Sequence, residues 1–140
     1  MNLGQYTKAA REMPEQLYSF KPADGTRTFG ALVAHLANVQ STLCGSMNGE
    51  KAVKTPAKNE SKDSIITGLS ASISACRRAF DELSAENMNT MVDTSSRKLT
   101  HLAALIYIVT HESEEYGQLA IYLRLNKLTS PTSDDAKGAL

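Results

Sequence analysis

The sequence predicts an all-α protein built as a four-helix bundle. Three observations carry this. Four segments repeat their apolar residues every three or four positions; glycine and proline are scarce, at 8 and 4, and fall mostly between those segments; no segment alternates as a strand would. Helices with one-sided apolar stripes must bury them against one another, and 140 residues give room for one core. The expected domain is residues 1–128, with 129–140, rich in Ser, Asp and Gly, as a loosely held tail.

The first helix is expected over about Asn2 to Met13, with Leu3, Tyr6, Ala10 and Met13 on one side. Pro14 limits it, because proline lacks the donor that a continuing helix needs. The second runs from about Thr28, its N-cap, to Met47, and Phe29, Leu32, Leu36, Val39, Leu43 and Met47 form its stripe. The third spans about Ser61 to Leu83, with Ile65, Leu69, Ile73, Cys76, Phe80 and Leu83 on one face. The fourth, about Lys98 to Leu125, is roughly 40 Å long at 1.5 Å per residue. Its stripe is Leu105, Ile108, Val109, Leu119, Tyr122 and Leu123. Polar connections, Ser46 to Glu60 and Ala85 to Arg97, separate the last three helices.

Composition narrows the function classes. Fifteen basic residues balance 15 acidic ones, so no basic excess recruits phosphate backbones and nucleic acid is not expected as a partner. No apolar run approaches the ~20 residues of a membrane span, and the first residues lack a secretory pattern. Cys44 and Cys76 are therefore expected to be reduced thiols in a cytoplasmic protein. Lys51, Lys54, Lys58 and Lys62 read as a solvated loop.

The fourth helix contradicts its own pattern. With Leu119 at the centre of the stripe, Glu112 lies about 20° to one side, Glu115 about 40° to the other, and His111 about 80° off, at 100° per residue. Glu114 points to the back, as a solvated charge should. Burying an unpaired carboxylate costs several kcal/mol, so something must compensate. His111 and Glu115 form an i, i+4 pair able to chelate one cation, and His35, at the shoulder of the second helix's stripe, would complete three ligands. Two histidines and a carboxylate are a recurrent set for catalytic zinc and non-haem iron. The plainer alternatives are a packed His35, a surface His111/Glu115 pair, and Glu112 and Glu115 neutralised by Arg97 or Arg124. His111-Glu112-x-x-Glu115 can also be read as a variant zinc-protease helix with Glu112 as general base, which a short, strand-poor chain disfavours.

These residues together resemble the DinB-like family. Met13-Pro14 followed by Tyr18-Ser19-Phe20-Lys21-Pro22 resembles the family's end of helix one. Thr28-Phe29-Gly30-Ala31-Leu32-Val33-Ala34-His35 is similar to the segment carrying its first ligand. His111 through Glu115-Tyr116-Gly117-Gln118-Leu119, then Tyr122-Leu123-Arg124-Leu125, resembles its last-helix motif, in which Glu115 stands where the pattern has a third His. The resemblance implies a four-helix bundle of the DinB-like type, helices two and three parallel and joined by a long crossover. It implies a divalent ion (zinc, nickel or iron) on His35, His111 and Glu115. It also implies a thiol-linked transferase or a hydrolase acting on a small molecule, with a low-molecular-weight thiol as cofactor. Glu112, Tyr116 and Gln118 would support the ligands or pack the helix. His101, ten residues before His111, lies about 15 Å along the axis and cannot share the site. The first helix is shorter than usual in the family, which favours a homodimer. The alternative is a non-catalytic dimeric bundle with a degenerate or structural metal site.

Overall fold

Pro14 stops the first helix where the sequence places the stop. In the computed structural model, which describes residues 3–50, 60–94 and 97–132, helix α1 covers Gly4–Glu12 and a 3-10 turn follows at Glu15–Leu17. Each of the three longer helices starts at a hydroxyl cap: Thr28, Ser61 and Thr100 accept from the amides of Ala31, Ser64 and Ala103 at 3.1, 3.3 and 3.2 Å. These caps open α2 (Phe29–Met47), α3 (Lys62–Asp81) and α4 (His101–Leu125). Lys62 is not loop decoration, because its ammonium donates to the carbonyls of Arg11 and Met13 at the end of α1, each at 2.8 Å. Lys51, Lys54 and Lys58 lie outside the described residues.

Helices α2 and α3 run parallel. Gly30 lies beside Ile65, Gln40 accepts from Ser72, and Cys44 is bonded to Cys76, so the two chains advance together. The crossover that this requires falls largely on residues 51–59, outside the described part. Helix α4 runs antiparallel to α2, as the pairs Phe29–Tyr122 and Gln40–Glu112 show. Between the helices lies the core, with Phe29, Met13, Leu32, Leu36, Leu69, Ile108, Leu119 and Leu123 fully buried.

Three expectations need correction. The cysteines form a disulfide: two parallel helices bring Cys44 and Cys76 to the same height with Cα atoms 4.9 Å apart, within bridging range, and both are fully buried. The cytoplasmic expectation loses the support it drew from free thiols. A β-hairpin precedes α4, with β1 (Met91–Asp93) antiparallel to β2 (Lys98–Thr100) in the register Val92↔Leu99. Strands of three residues are too short to show alternation, and Lys98–Thr100 read instead as the first turn of α4. Val109 and Phe80, assigned to core stripes, are each more than a third exposed. Of the expected tail, residues 129–132 are described: Ser130 is fully buried, and the amide of Thr132 donates to the Tyr116 hydroxyl at 3.0 Å. Residues 133–140 lie outside the described part. Among the described residues, no helix is long and apolar enough to cross a membrane.

Candidate metal centre

The antiparallel pairing of α2 and α4 sets His35 opposite the turn that carries His111 and Glu115. The two Nε2 atoms lie 3.2 Å apart, and each is 3.5 Å from the same Glu115 oxygen, Oε1. Three donors on a tetrahedral ion with bonds of about 2.0–2.1 Å would lie roughly 3.3–3.4 Å from one another. The observed triangle has those dimensions without rearrangement. Among the described residues these three are the one group of His, Cys, Asp or Glu side chains that converges in this way.

The surroundings favour a cation. Glu115 is almost fully buried, and its second oxygen, Oε2, has no hydrogen-bond partner; nor has Nδ1 of His111. Burial raises the Glu115 carboxyl above its ordinary range, against the opposing pull of His111 and Arg27. Burial also lowers the proton affinity of His35, helped by the nearby Arg27 and by His111. A neutral imidazole keeps the lone pair that a metal needs. The donor set and its chemistry therefore fit a divalent ion held by His35, His111 and Glu115, with the partly exposed His35 on the open side.

A family model for the DinB superfamily matches residues 2–119. The chain belongs to the DinB superfamily. A DinB-like protein from Bacillus cereus ATCC 10987 shares the fold, with a TM-score of 0.72 and 18% identity over 92% of this chain and 88% of that one. Another, from Bacillus subtilis, has a TM-score of 0.70 and 19% identity over 91% and 87%. A mycothiol-dependent maleylpyruvate isomerase matches at 0.59 with 18% identity, over 84% of this chain but 55% of its own. The chain thus spans about half of that enzyme. No protein of curated function matches in sequence.

Of the other residues singled out from this DinB motif, none touches the triad through a hydrogen bond. Glu112 is fully buried and turns away from the three ligands, its Oε1 accepting from Gln40 Nε2 at 2.6 Å. Ser72 in turn donates to Gln40 Oε1 at 2.6 Å, so a polar chain crosses α4, α2 and α3. Burial pushes the Glu112 carboxyl up to about 7, the Gln40 bond opposing. This placement removes the zinc-protease reading, which needs Glu112 at the ion. Arg97 and Arg124 are not the neutralising partners either: Arg97 stacks on the Tyr107 ring, and Arg124 reaches the Ser130 hydroxyl. Tyr116 packs edge-on against Tyr6, with ring centroids 5.5 Å apart, and Gln118 is half-buried on the flank of α4. His101 sits at the first position of α4, away from the site.

Sequence reasoning missed Gln40 and Tyr107. Gln40 stands four residues from Leu36 on the buried side of α2, where a polar residue is as anomalous as Glu112 is in α4. The same periodicity test applied to α2 would have found it. Tyr107 stacks on the His111 ring at 5.7 Å with planes 22° apart. An i, i+4 aromatic–histidine pair was the available signal.

Proposed function

We propose that the protein is a divalent-metal-dependent enzyme, with His35, His111 and Glu115 as the ligands, acting on a small molecule in a thiol-linked transfer or a hydrolysis. The observation that carries this is the triangle of donor atoms at 3.2, 3.5 and 3.5 Å around a buried carboxylate. Three protein ligands leave a coordination position open, as in catalytic rather than structural sites. When bound there, the ion would lower the pKa of a thiol or water, yielding a nucleophile at neutral pH.

The chain's own residues do the rest. Tyr107 stacks on His111 and fixes the plane of its ring. Arg27 adds positive charge near Glu115, and the Glu115 carboxylate reduces the net charge of a loaded site to about half that of three neutral histidines. A bound thiol or water would therefore be less acidified than in a three-histidine site. The fold shared with a mycothiol-dependent isomerase supports a low-molecular-weight thiol as co-substrate.

Metal analysis of protein purified without a chelator or a metal-affinity tag tests the reading. Near-stoichiometric zinc, nickel or iron that is lost in His111→Ala is the expected result. Metal-free, fully folded wild type that takes up none of these ions would overturn it.

A second reading rests on a different surface. Ile106, Val109, Ile121 and Leu125 on the outer side of α4 are exposed, while α1 is buried at Tyr6, Ala9 and Ala10. We propose that this side of α4, not the region around α1, pairs two copies of the chain. Light scattering that finds a monomer at micromolar concentration would remove the dimer.

A further inference from the structure

A cavity of about 200 Å³ opens one helical turn from the triad, between α2, the β-hairpin and α4. His35, His111 and Glu115 do not line it, but residues one turn from two of them do. Val39 is one turn beyond His35 on α2, and Tyr107, the residue stacked on His111, forms its α4 wall. Val39, Leu43 and Leu99 supply an apolar lining, and Thr42 places a hydroxyl among them. A cavity of about 150 Å³ holds benzene, so this space suits a molecule of roughly eight non-hydrogen atoms.

Its charge is one-sided. Arg97 lines the cavity, and among the described residues no Asp or Glu does. The hairpin explains this arrangement through its period of two. Lys98 points to the other side, where it pairs with Asp93 at 3.4 Å, while Arg97 and Leu99 share the cavity side. Thr94 fixes the Arg97 backbone: its hydroxyl donates to the Arg97 carbonyl at 2.7 Å and accepts from the Arg97 amide at 3.1 Å. The guanidinium carbon lies 5.2 Å from the Tyr107 ring centre, and among the described residues no carboxylate pairs with it. A planar donor fork is thus held over an aromatic wall with its hydrogen-bonding capacity unspent on an acid.

We infer that this cavity is the substrate pocket of the metal centre and that it selects a small organic carboxylate. The acid's anionic end meets Arg97, its apolar body lies over Val39, Leu43 and Leu99, and its far end faces the open side of the triad. The pocket assignment rests on the metal reading above, whereas recognition of the acid by Arg97 does not.

Hexanoate, of eight non-hydrogen atoms, and its uncharged amide, hexanamide, serve as probes. Amide chemical shifts of the full chain are followed during titration, in chelator-treated and in manganese-loaded protein, for wild type and Arg97→Gln. The Arg97 side chain is exposed, so the variant should fold normally. Hexanoate is expected to shift the amides of Val39, Leu43 and Leu99, and to bind about tenfold more weakly to Arg97→Gln, the loss of one charge-assisted contact. Hexanamide should not distinguish the two proteins. In manganese-loaded protein, the hexanoate methyl protons should broaden more than those next to the carboxylate. Equal binding of hexanoate by wild type and Arg97→Gln overturns the inference, as does strongest broadening beside the carboxylate, which would place the acid on the ion. Failure to take up manganese or zinc while hexanoate still depends on Arg97 would instead defeat the metal reading and, with it, the pocket's link to a metal reaction.

Discussion

Reducing the Cys44–Cys76 bond tests how much of the bundle's stability depends on holding α2 to α3. The bond closes a loop with a sequence separation of 32, across the connection between the two helices. In the chain-entropy account, a loop of that length removes unfolded-state freedom equivalent to about 4 kcal/mol at 25 °C. Both sulfur atoms are buried and stay packed after reduction, so little native packing should be lost. Urea unfolding of the same protein with and without a phosphine reductant, followed by circular dichroism, reads the difference directly. At about 3 °C per kcal/mol for a chain of this size, the melting temperature should fall by roughly 10 °C. Thiol titration of the oxidised protein in denaturant should find no free sulfhydryl. Two reactive thiols in protein isolated without reductant would refute the bond itself. Coincident urea transitions would refute the entropy account.

Other expected outcomes follow from single contacts. Because burial raises Glu112 from 4.5 to about 7, its contribution to stability is full below pH 4.5 and declines as pH rises through 7, while the unfolded chain alone gives up the proton. In chelator-treated protein, Glu112→Gln should therefore match wild type near pH 4 and exceed it by about 3 kcal/mol at pH 8, and parallel stability–pH curves would contradict this. Gln40→Leu strips the one partner from a buried carboxylate oxygen and should destabilise by about 1–3 kcal/mol in urea, an effect that must shrink when Glu112 is also Leu. At Gly30 an added Cβ would meet the Tyr18 ring at 3.0 Å and the Tyr18 carbonyl at 3.3 Å. That carbonyl is held by the Gly30 amide itself, so Gly30→Ala should lose about 1–3 kcal/mol. An unchanged urea midpoint would show that the segment at Tyr18 gives way freely.

The helices and the inward placement of His111 and Glu115 were legible because both are written in local periodicity, whereas His35, 76 positions from His111, was joined to them through the family resemblance. Leu119, Glu115 and His111 lie on one helix, so their relative directions follow from 100° steps without knowledge of the partner. Pro14 and the cap Thr28 act within three residues and are equally local. What stayed hidden depends on the height at which two separate helices meet. The bond between Cys44 and Cys76 and the bond between Gln40 and Glu112 join residues 32 and 72 positions apart, and no single-helix pattern encodes that height. The hairpin was missed for another reason. Its strands of three residues carry too few alternations to be seen, yet they bring Arg97 beside Tyr107.

Glu115 is the residue on which the site's purpose turns, and its substitution separates a cation centre from a structural polar cluster. Oε1 lies at the same distance, 3.5 Å, from both imidazole nitrogens, so the carboxylate completes the triangle that a third histidine would complete in the family pattern. A cluster serving only stability would satisfy the acid, but Oε2 has no partner and burial disfavours its charge. Glu115→Gln keeps the shape and one oxygen donor while removing the charge. Without metal, the variant should be at least as stable as wild type in urea at pH 8. With zinc, it should bind at least tenfold more weakly by competition with a chromophoric chelator, because a neutral amide is a poorer ligand than a carboxylate. Opposite signs in the two measurements identify a group whose charge is retained for an ion. A variant that is less stable without metal, and unchanged in zinc affinity, would mean that Glu115 holds the helices together and that the triangle is incidental.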